Sequence, residues 1–211
     1  MKFRDRADAG NLLAERLAKN GHSPVIVLGI PRGGVILADI VAKKLGADFD
    51  IVIPRKLGAP DNEELAIGAV MEDGTSYINR YIVNALRIPQ DYVENEKVRQ
   101  AAEIRRRAAI YRKPCGYHIA GKNTILVDDG IATGATVIAS ARWARKQNPS
   151  RLIVAVPVAP PQSVEVLEQE ADSVVVLDTP RDFASVGQFY EEFTPVSDDQ
   201  VMQLMRSRGL L

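Results

Sequence analysis

Apolar and polar positions follow two rhythms along this chain. Leu12, Leu13, Leu17 and Ala18 recur at helical spacing, which predicts an amphipathic helix over 8–19 that stops at Gly21. Val25-Ile26-Val27-Leu28-Gly29-Ile30 is an unbroken apolar run, the pattern of a strand covered on both faces. Pro31-Arg32-Gly33-Gly34 breaks that run. Ile36, Ile40 and Val41 then place a helix over 35–45, with Gly46 as its stop, and 49–53 reads as the next strand. The same order returns later: strands at 123–127, 152–156 and 173–177 alternate with helices at 134–147 and 162–171. Trp143 falls on the first of these later helices and reads as core. Ser197 before Asp198-Asp199 predicts a capped terminal helix.

The middle is less regular. Gly58, Pro60, Asp61 and Asn62 make 56–66 a predicted mobile loop, and 67–78 a hairpin turning at Asp73-Gly74. A helix with few apolar anchors follows over 91–112, carrying Arg105-Arg106-Arg107. The pattern as a whole predicts an α/β fold: a mostly parallel sheet flanked by helices, in a single domain over 1–211 with a helical and hairpin insertion at about 57–122. Ligands of such sheets sit beyond the carboxyl ends of the strands, which directs attention to 31–34, 55–56, 128–136 and 178–182.

Charge and composition narrow the partners. The 211 residues carry 27 Lys and Arg against 27 Asp and Glu, so the balance argues against a whole-surface nucleic-acid binder. A single cysteine, Cys115, leaves no internal disulfide and no Cys-cluster zinc site. The charged start MKFRDRADAG and the absence of an apolar run of about 20 residues give the expectation of a cytoplasmic chain outside the membrane.

The densest chemistry lies at 124–136. An apolar strand delivers Asp128 and Asp129, and a loop of small residues with Thr133 and Thr136 then opens a helix. Backbone N–H groups at a helix start, backed by its dipole, favour a phosphate, and Gly134 admits close approach of an anion. The threonine hydroxyls can donate to phosphate oxygens, whereas adjacent carboxylates suit a diol or a Mg²⁺-bound group. Both halves together suit a phosphorylated sugar.

ILVDDGIATGAT at 125–136 resembles the signature of the type I phosphoribosyltransferases for 5-phosphoribosyl-1-diphosphate (PRPP). The resemblance implies that Asp128 and Asp129 hold the ribose hydroxyls, while Ile131, Ala132, Thr133, Gly134, Ala135 and Thr136 cradle the 5′-phosphate, with Gly130 a further substrate-binding residue. Pro31-Arg32-Gly33-Gly34 is similar to the family's diphosphate loop, and Arg55-Lys56 to the basic pair before its flexible active-site loop. Asp178 to Glu191 is similar to the hood of purine-type members (about 178–195 here), which implies Asp182 and Phe183 near the base. Arg32 and Lys56 would stabilise the leaving pyrophosphate and Asp128 and Asp129 the ribose. Mg²⁺ is the implied cofactor, held by Asp128 and Asp129 through water or PRPP.

The implied activity is salvage-type transfer of phosphoribosyl to a nitrogenous base, purine-type before pyrimidine, with release of pyrophosphate. A homodimer is implied by resemblance alone. Ala132 stands where hypoxanthine-guanine members place an Asp, as in adenine- and xanthine-type members, and Ala135 rather than a lysine follows Gly134. No general base is assigned; Glu63 and Glu64 are candidates on the predicted loop, whose closure would exclude water. Two rival readings are a PRPP- or nucleotide-sensing regulator without turnover, and a hydrolase or phosphorylase of a phosphoribosyl compound.

Other signals count for less. Gly116 to Asn123 nearly matches a nucleotide P-loop, but Asn123 replaces the metal-binding hydroxyl and the segment precedes its strand. Arg105–Arg107 with Tyr111-Arg112-Lys113 reads as a solvated helix face or an oligomer surface before a nucleic-acid contact. His22, His118 and Cys115 have no sequence partners that mark catalysis.

Overall fold

The computed structural model describes residues 1–19, 25–113 and 116–211; Gly21, His22 and Cys115 lie outside the described residues. Five strands, β1 (Val25–Gly29), β2 (Asp48–Ile51), β6 (Asn123–Val127), β7 (Arg151–Val158) and β8 (Ser173–Asp178), form a parallel sheet in the order β2-β1-β6-β7-β8. Its apolar runs are unbroken because both faces are covered. Val27, Ile125 and Ile153 pack on one side with α1 (Arg6–Ala18) and α2 (Gly33–Leu45). Ile26, Leu28, Leu126 and Val154 pack on the other with Trp143 and its neighbours on α5 (Ala135–Lys146). Trp143 is core, as expected, and its indole meets the Tyr117 ring edge-on at 4.5 Å.

The helix boundaries follow local chemistry. α1 begins earlier than the apolar spacing indicates because Asp5 caps it, accepting from the Asp8 N–H at 2.8 Å. Gly46 ends α2 in the left-handed conformation, at φ 61°. α6 (Pro161–Leu167) precedes β8, and α7 (Asp198–Ser207) starts at Ser197, whose hydroxyl accepts from the Gln200 N–H at 3.2 Å.

The predicted loop at 56–66 is a correction. β3 (Arg55–Ala59) and β4 (Asn62–Val70) pair antiparallel, and β5 (Ser76–Ile78) adds a third strand after the expected turn at Asp73-Gly74. The loop-like composition marks only a tight turn at Pro60-Asp61 and an irregularity in register at Gly58. Leu57 is fully buried, and the Tyr92 hydroxyl donates to the Gly58 carbonyl at 3.0 Å, which holds β3 against α4 (Gln90–Tyr111). A short helix, α3 (Arg80–Ala85), lies between β5 and α4 and has no counterpart in the apolar pattern.

The end of α4 is tied to the sheet by a buried ion pair. Arg112 donates from Nε and Nη2 to the two Asp50 oxygens at 3.2 and 2.7 Å, with its guanidinium 4.0 Å from the Tyr117 ring centre. Arg112→Ala leaves the Asp50 carboxylate buried without that guanidinium and is expected to cost about 3–5 kcal/mol. Denaturant unfolding measures this directly. Among the described residues no helix is long and apolar enough to cross a membrane.

Candidate active site

β1 leads to β2 on one side and β6 to β7 on the other, so the strand order of the parallel sheet reverses between β1 and β6. Loops leaving such a pair splay apart and open a crevice. Here the loops are Pro31–Gly34 and 128–134. Ile30 donates to the Val127 carbonyl at 2.9 Å, which fixes their relative height, and the peptide between Pro31 and Arg32 is cis.

A cavity of about 330 Å³ opens there, lined by Pro31, Lys56, residues 128–134, Thr136, Val186 and Phe193. The structure thus brings together Asp128, Asp129, the phosphate-type loop and Lys56. The loop itself is well anchored: Ile131 donates to the Val158 carbonyl at 2.9 Å, and the Ser163 hydroxyl to the Ala132 carbonyl at 2.7 Å. Gly134, at φ 78°, turns the chain into α5 and offers no side-chain cap. The first-turn N–H groups of α5 therefore face outward without a cap from their own N-terminal residue, the arrangement that binds an anion. Ala135, buried at the start of α5, supplies backbone rather than side chain.

The acid pair is half-buried. Asp129 donates its N–H to Asp128 Oδ1 at 2.9 Å, and its own Oδ2 accepts from Arg6 Nε at 2.8 Å. Burial raises Asp128 well above the usual carboxylate range, with the Asp129 charge adding to it and Lys56 opposing. Asp129 is also raised by burial, against the pull of Arg6.

Arg6 is the principal residue that sequence reasoning missed. Its side chain is only 11% exposed. It also donates to the Thr194 carbonyl at 2.7 Å and lies 3.9 Å from the Phe193 ring centre. One guanidinium thus joins the start of α1, an acid of the site and the segment after β8. Tyr190 was missed as a site residue too; its hydroxyl donates to the Asp129 carbonyl at 2.6 Å. Burial, followed by the Asp129 charge, holds that hydroxyl above its ordinary value, so it remains a donor.

Other candidates are placed elsewhere. Gly33 and Gly34 are where the two loops touch, since a methyl on either would collide with the acid pair. The Arg32 side chain turns toward α7, 3.4 Å from Asp198, whose other partner is the Tyr111 hydroxyl at 2.5 Å. Arg55 donates to Gln100 Oε1 at 2.9 Å. Phe183 packs on Phe189, with ring centres 5.0 Å apart, and Asp182 is exposed; the cavity wall at this end is Val186 and Phe193 instead. Glu63 is exposed and reaches Arg99 at 3.3 Å, and the Glu64 side chain lies outside the described residues. Arg105 and Arg106 are exposed, as a solvated helix face requires, with Arg106 and Arg107 paired to Glu103, whereas Tyr111 and Arg112 are buried.

Residues 4–193 match the family model described as the phosphoribosyl transferase domain. The chain belongs to that family. Two curated Mycobacterium tuberculosis proteins, one each from strains CDC 1551 and H37Rv and both named "Putative phosphoribosyl transferase", are 42% identical to this domain over 96% of it. The chain spans about half the length of these relatives (46%). A solved Thermus thermophilus protein, TT1426, matches this phosphoribosyl transferase domain at a TM-score of 0.82 and 44% identity, covering 98% of this chain and 99% of that one. A purine phosphoribosyltransferase of Pyrococcus horikoshii shares the fold at a TM-score of 0.50 and 16% identity, covering 91% of this chain and 93% of that one.

Proposed function

We propose that the chain transfers the 5-phosphoribosyl group of PRPP to a nitrogenous base and releases pyrophosphate, with purine-type bases the favoured acceptors. One observation carries this reading: a single cavity joins an acid pair at the end of β6 to the open N-terminus of α5. The acids accept hydrogen bonds from sugar hydroxyls, and the helix start and Thr136 hold the 5′-phosphate. With those two ends fixed, C1′ faces the Pro31–Gly34 loop and Lys56.

The bond from C1′ to the diphosphate oxygen breaks as the base nitrogen forms its bond to C1′, and the electron pair leaves with pyrophosphate. Positive charge develops on the ribose near the carboxylates. Negative charge develops near Lys56, whose ammonium is placed to stabilise it. Among the described residues no three His, Cys, Asp or Glu side chains converge to form a protein-only metal cage. Two adjacent carboxylates do fit Mg²⁺ shared with a ligand's oxygens and water, the usual habit of that ion. Asp128 and Asp129 would hold it, and it would supply charge neutralisation to the diphosphate.

The 56–66 hairpin is paired and packed, so water exclusion is assigned to no loop closure there. Incubation with PRPP, Mg²⁺ and a panel of nucleobases tests the reading by chromatography of the nucleotide formed. A nucleotide from one base or a few supports it; none from any base removes it. Thr136→Val keeps the shape of the site and removes one hydroxyl donor to a charged group. Its expected effect is about 1.5–3 kcal/mol weaker PRPP binding by calorimetry.

A further inference from the structure

Arg6 does not line the cavity, yet it contacts two residues that do, Asp129 and Phe193. Its placement begins with its neighbours in the chain. Phe3 is fully buried, and the backbone around it pairs with the segment after β8. The Phe3 N–H donates to the Phe189 carbonyl, and the Glu191 and Glu192 N–H groups donate to the Phe3 and Arg4 carbonyls, each at 2.8 Å. Asp5 then caps α1, which leaves Arg6 as its first residue. A cation at that position opposes the helix dipole, and burying its charge is costly unless the charge is paired. Helix stability therefore does not account for Arg6; its partners do.

Those partners form a closed ring. Arg6 Nε donates to Asp129 Oδ2 at 2.8 Å and Nη1 to the Thr194 carbonyl at 2.7 Å, with the guanidinium 3.9 Å from the Phe193 ring centre. From the other side, the Tyr190 hydroxyl donates to the Asp129 carbonyl at 2.6 Å, and the Tyr190 and Phe193 ring centres are 4.9 Å apart. Asp129 and Phe193 are thus joined twice, once through Arg6 and once through Tyr190. Gly187 lets the Phe193 ring lie close, since a methyl there would come within 2.9 Å of it. A planar guanidinium that bonds at its edge and stacks on its face carries a shift of either partner to the other.

We propose that Arg6 is a positioning residue that couples Asp129 to Phe193, so that occupation of the acid end of the cavity sets the position of the Phe193 wall. Naming the acid end for ribose rests on the transfer reading above, whereas the coupling stands on the side chains themselves.

Hydrogen exchange over 187–193 and calorimetric titration with ribose 5-phosphate test the coupling in wild type, Arg6→Gln, Asp129→Ala, the double variant and Asp128→Asn. Without ligand, exchange over 187–193 is expected to rise about tenfold in Arg6→Gln and in Asp129→Ala, with no further rise in the double variant. Asp128→Asn, which alters no partner of Arg6, exchanges there as wild type does. Ribose 5-phosphate slows this exchange in wild type and leaves it unchanged in Arg6→Gln. Ribose 5-phosphate affinity falls about tenfold in Arg6→Gln, whereas in the Asp129→Ala background the same substitution changes it by less than about twofold. A purely structural role for Arg6 would cost the same in both backgrounds. Exchange over 187–193 that is unaltered in Asp129→Ala, or that adds in the double variant, overturns the proposal, and so does an equal loss of affinity in the two backgrounds. If Arg6→Gln does not fold, Arg6→Lys, which keeps the charge without the planar fork, carries the same comparison. Wild type that binds no ribose 5-phosphate removes the transfer reading, and exchange in the unliganded variants still decides the coupling.

Discussion

Asp128→Asn and Asp129→Asn are each expected to weaken PRPP binding and transfer by roughly ten- to hundredfold, while changing thermal stability by different amounts. On the transfer reading, each substitution replaces a charged acceptor of a sugar hydroxyl by a neutral one, a loss of about 1.5–3 kcal/mol. Their stabilities differ because their neighbours differ. Burial raises Asp128 well above the usual range, and the adjacent Asp129 charge raises it further. A carboxyl raised on folding adds stability below its unfolded value, near 4, and that contribution is lost as the pH rises through the higher folded value. At neutral pH its ionised form is therefore a cost, and Asp128→Asn raises the Tm of the metal-free protein. Asp129 instead faces Arg6 at 2.8 Å, and Asp129→Asn leaves that guanidinium, 11% exposed, without its charge partner. Burial raises Asp129 too, so the two effects oppose each other and its Tm rises less than that of Asp128→Asn. Melting curves at pH 7 and pH 4 check the sign: the advantage of Asp128→Asn shrinks at the lower pH, where wild type has begun to protonate the pair.

Gly33→Ala is the second large effect. Gly33 lies where the loop after β1 presses on the loop after β6. A methyl built there overlaps Asp129 Oδ2 and sits 2.8 Å from Arg6 Nε. Arg6 cannot withdraw freely, because it is held by the Thr194 carbonyl and the Phe193 ring. The acid must therefore shift away from the ribose position, and displacement of a positioned group by about 1 Å costs about a hundredfold. The rate of nucleotide formation from PRPP and a base, followed by chromatography, is expected to fall by that order. Gly116→Ala is the control, since a methyl at Gly116 meets nothing within 4 Å. It is expected to form nucleotide at the wild-type rate.

The residues that sequence reasoning found and those it missed differ in the range of the interactions that place them. The parallel strands are legible because burial on both faces leaves unbroken apolar runs such as Val25 to Leu28. The segment 125–136 is legible because a strand, two acids and a helix start follow one another directly. The β3–β4 hairpin is not, because Gly58, Pro60 and Asn62 signal a turn without saying how little of the segment the turn occupies. Pairing of Lys56 with Ala69 and burial of Leu57 under α4 decide that. Arg6 is invisible for a different reason: it stands 123 positions from Asp129, and only the folding of α1 against the site brings them together. Phe193 rather than Phe183 lines the cavity because the chain after β8 is irregular, and no periodicity tells which aromatic turns inward.

Pyrophosphate release from PRPP, followed with and without a nucleobase, tests the transfer reading most directly. The expected result is release that requires a base and falls at least tenfold in Asp128→Asn. Release at the same rate without any base, or tight PRPP binding with no release for every base tried, would contradict it.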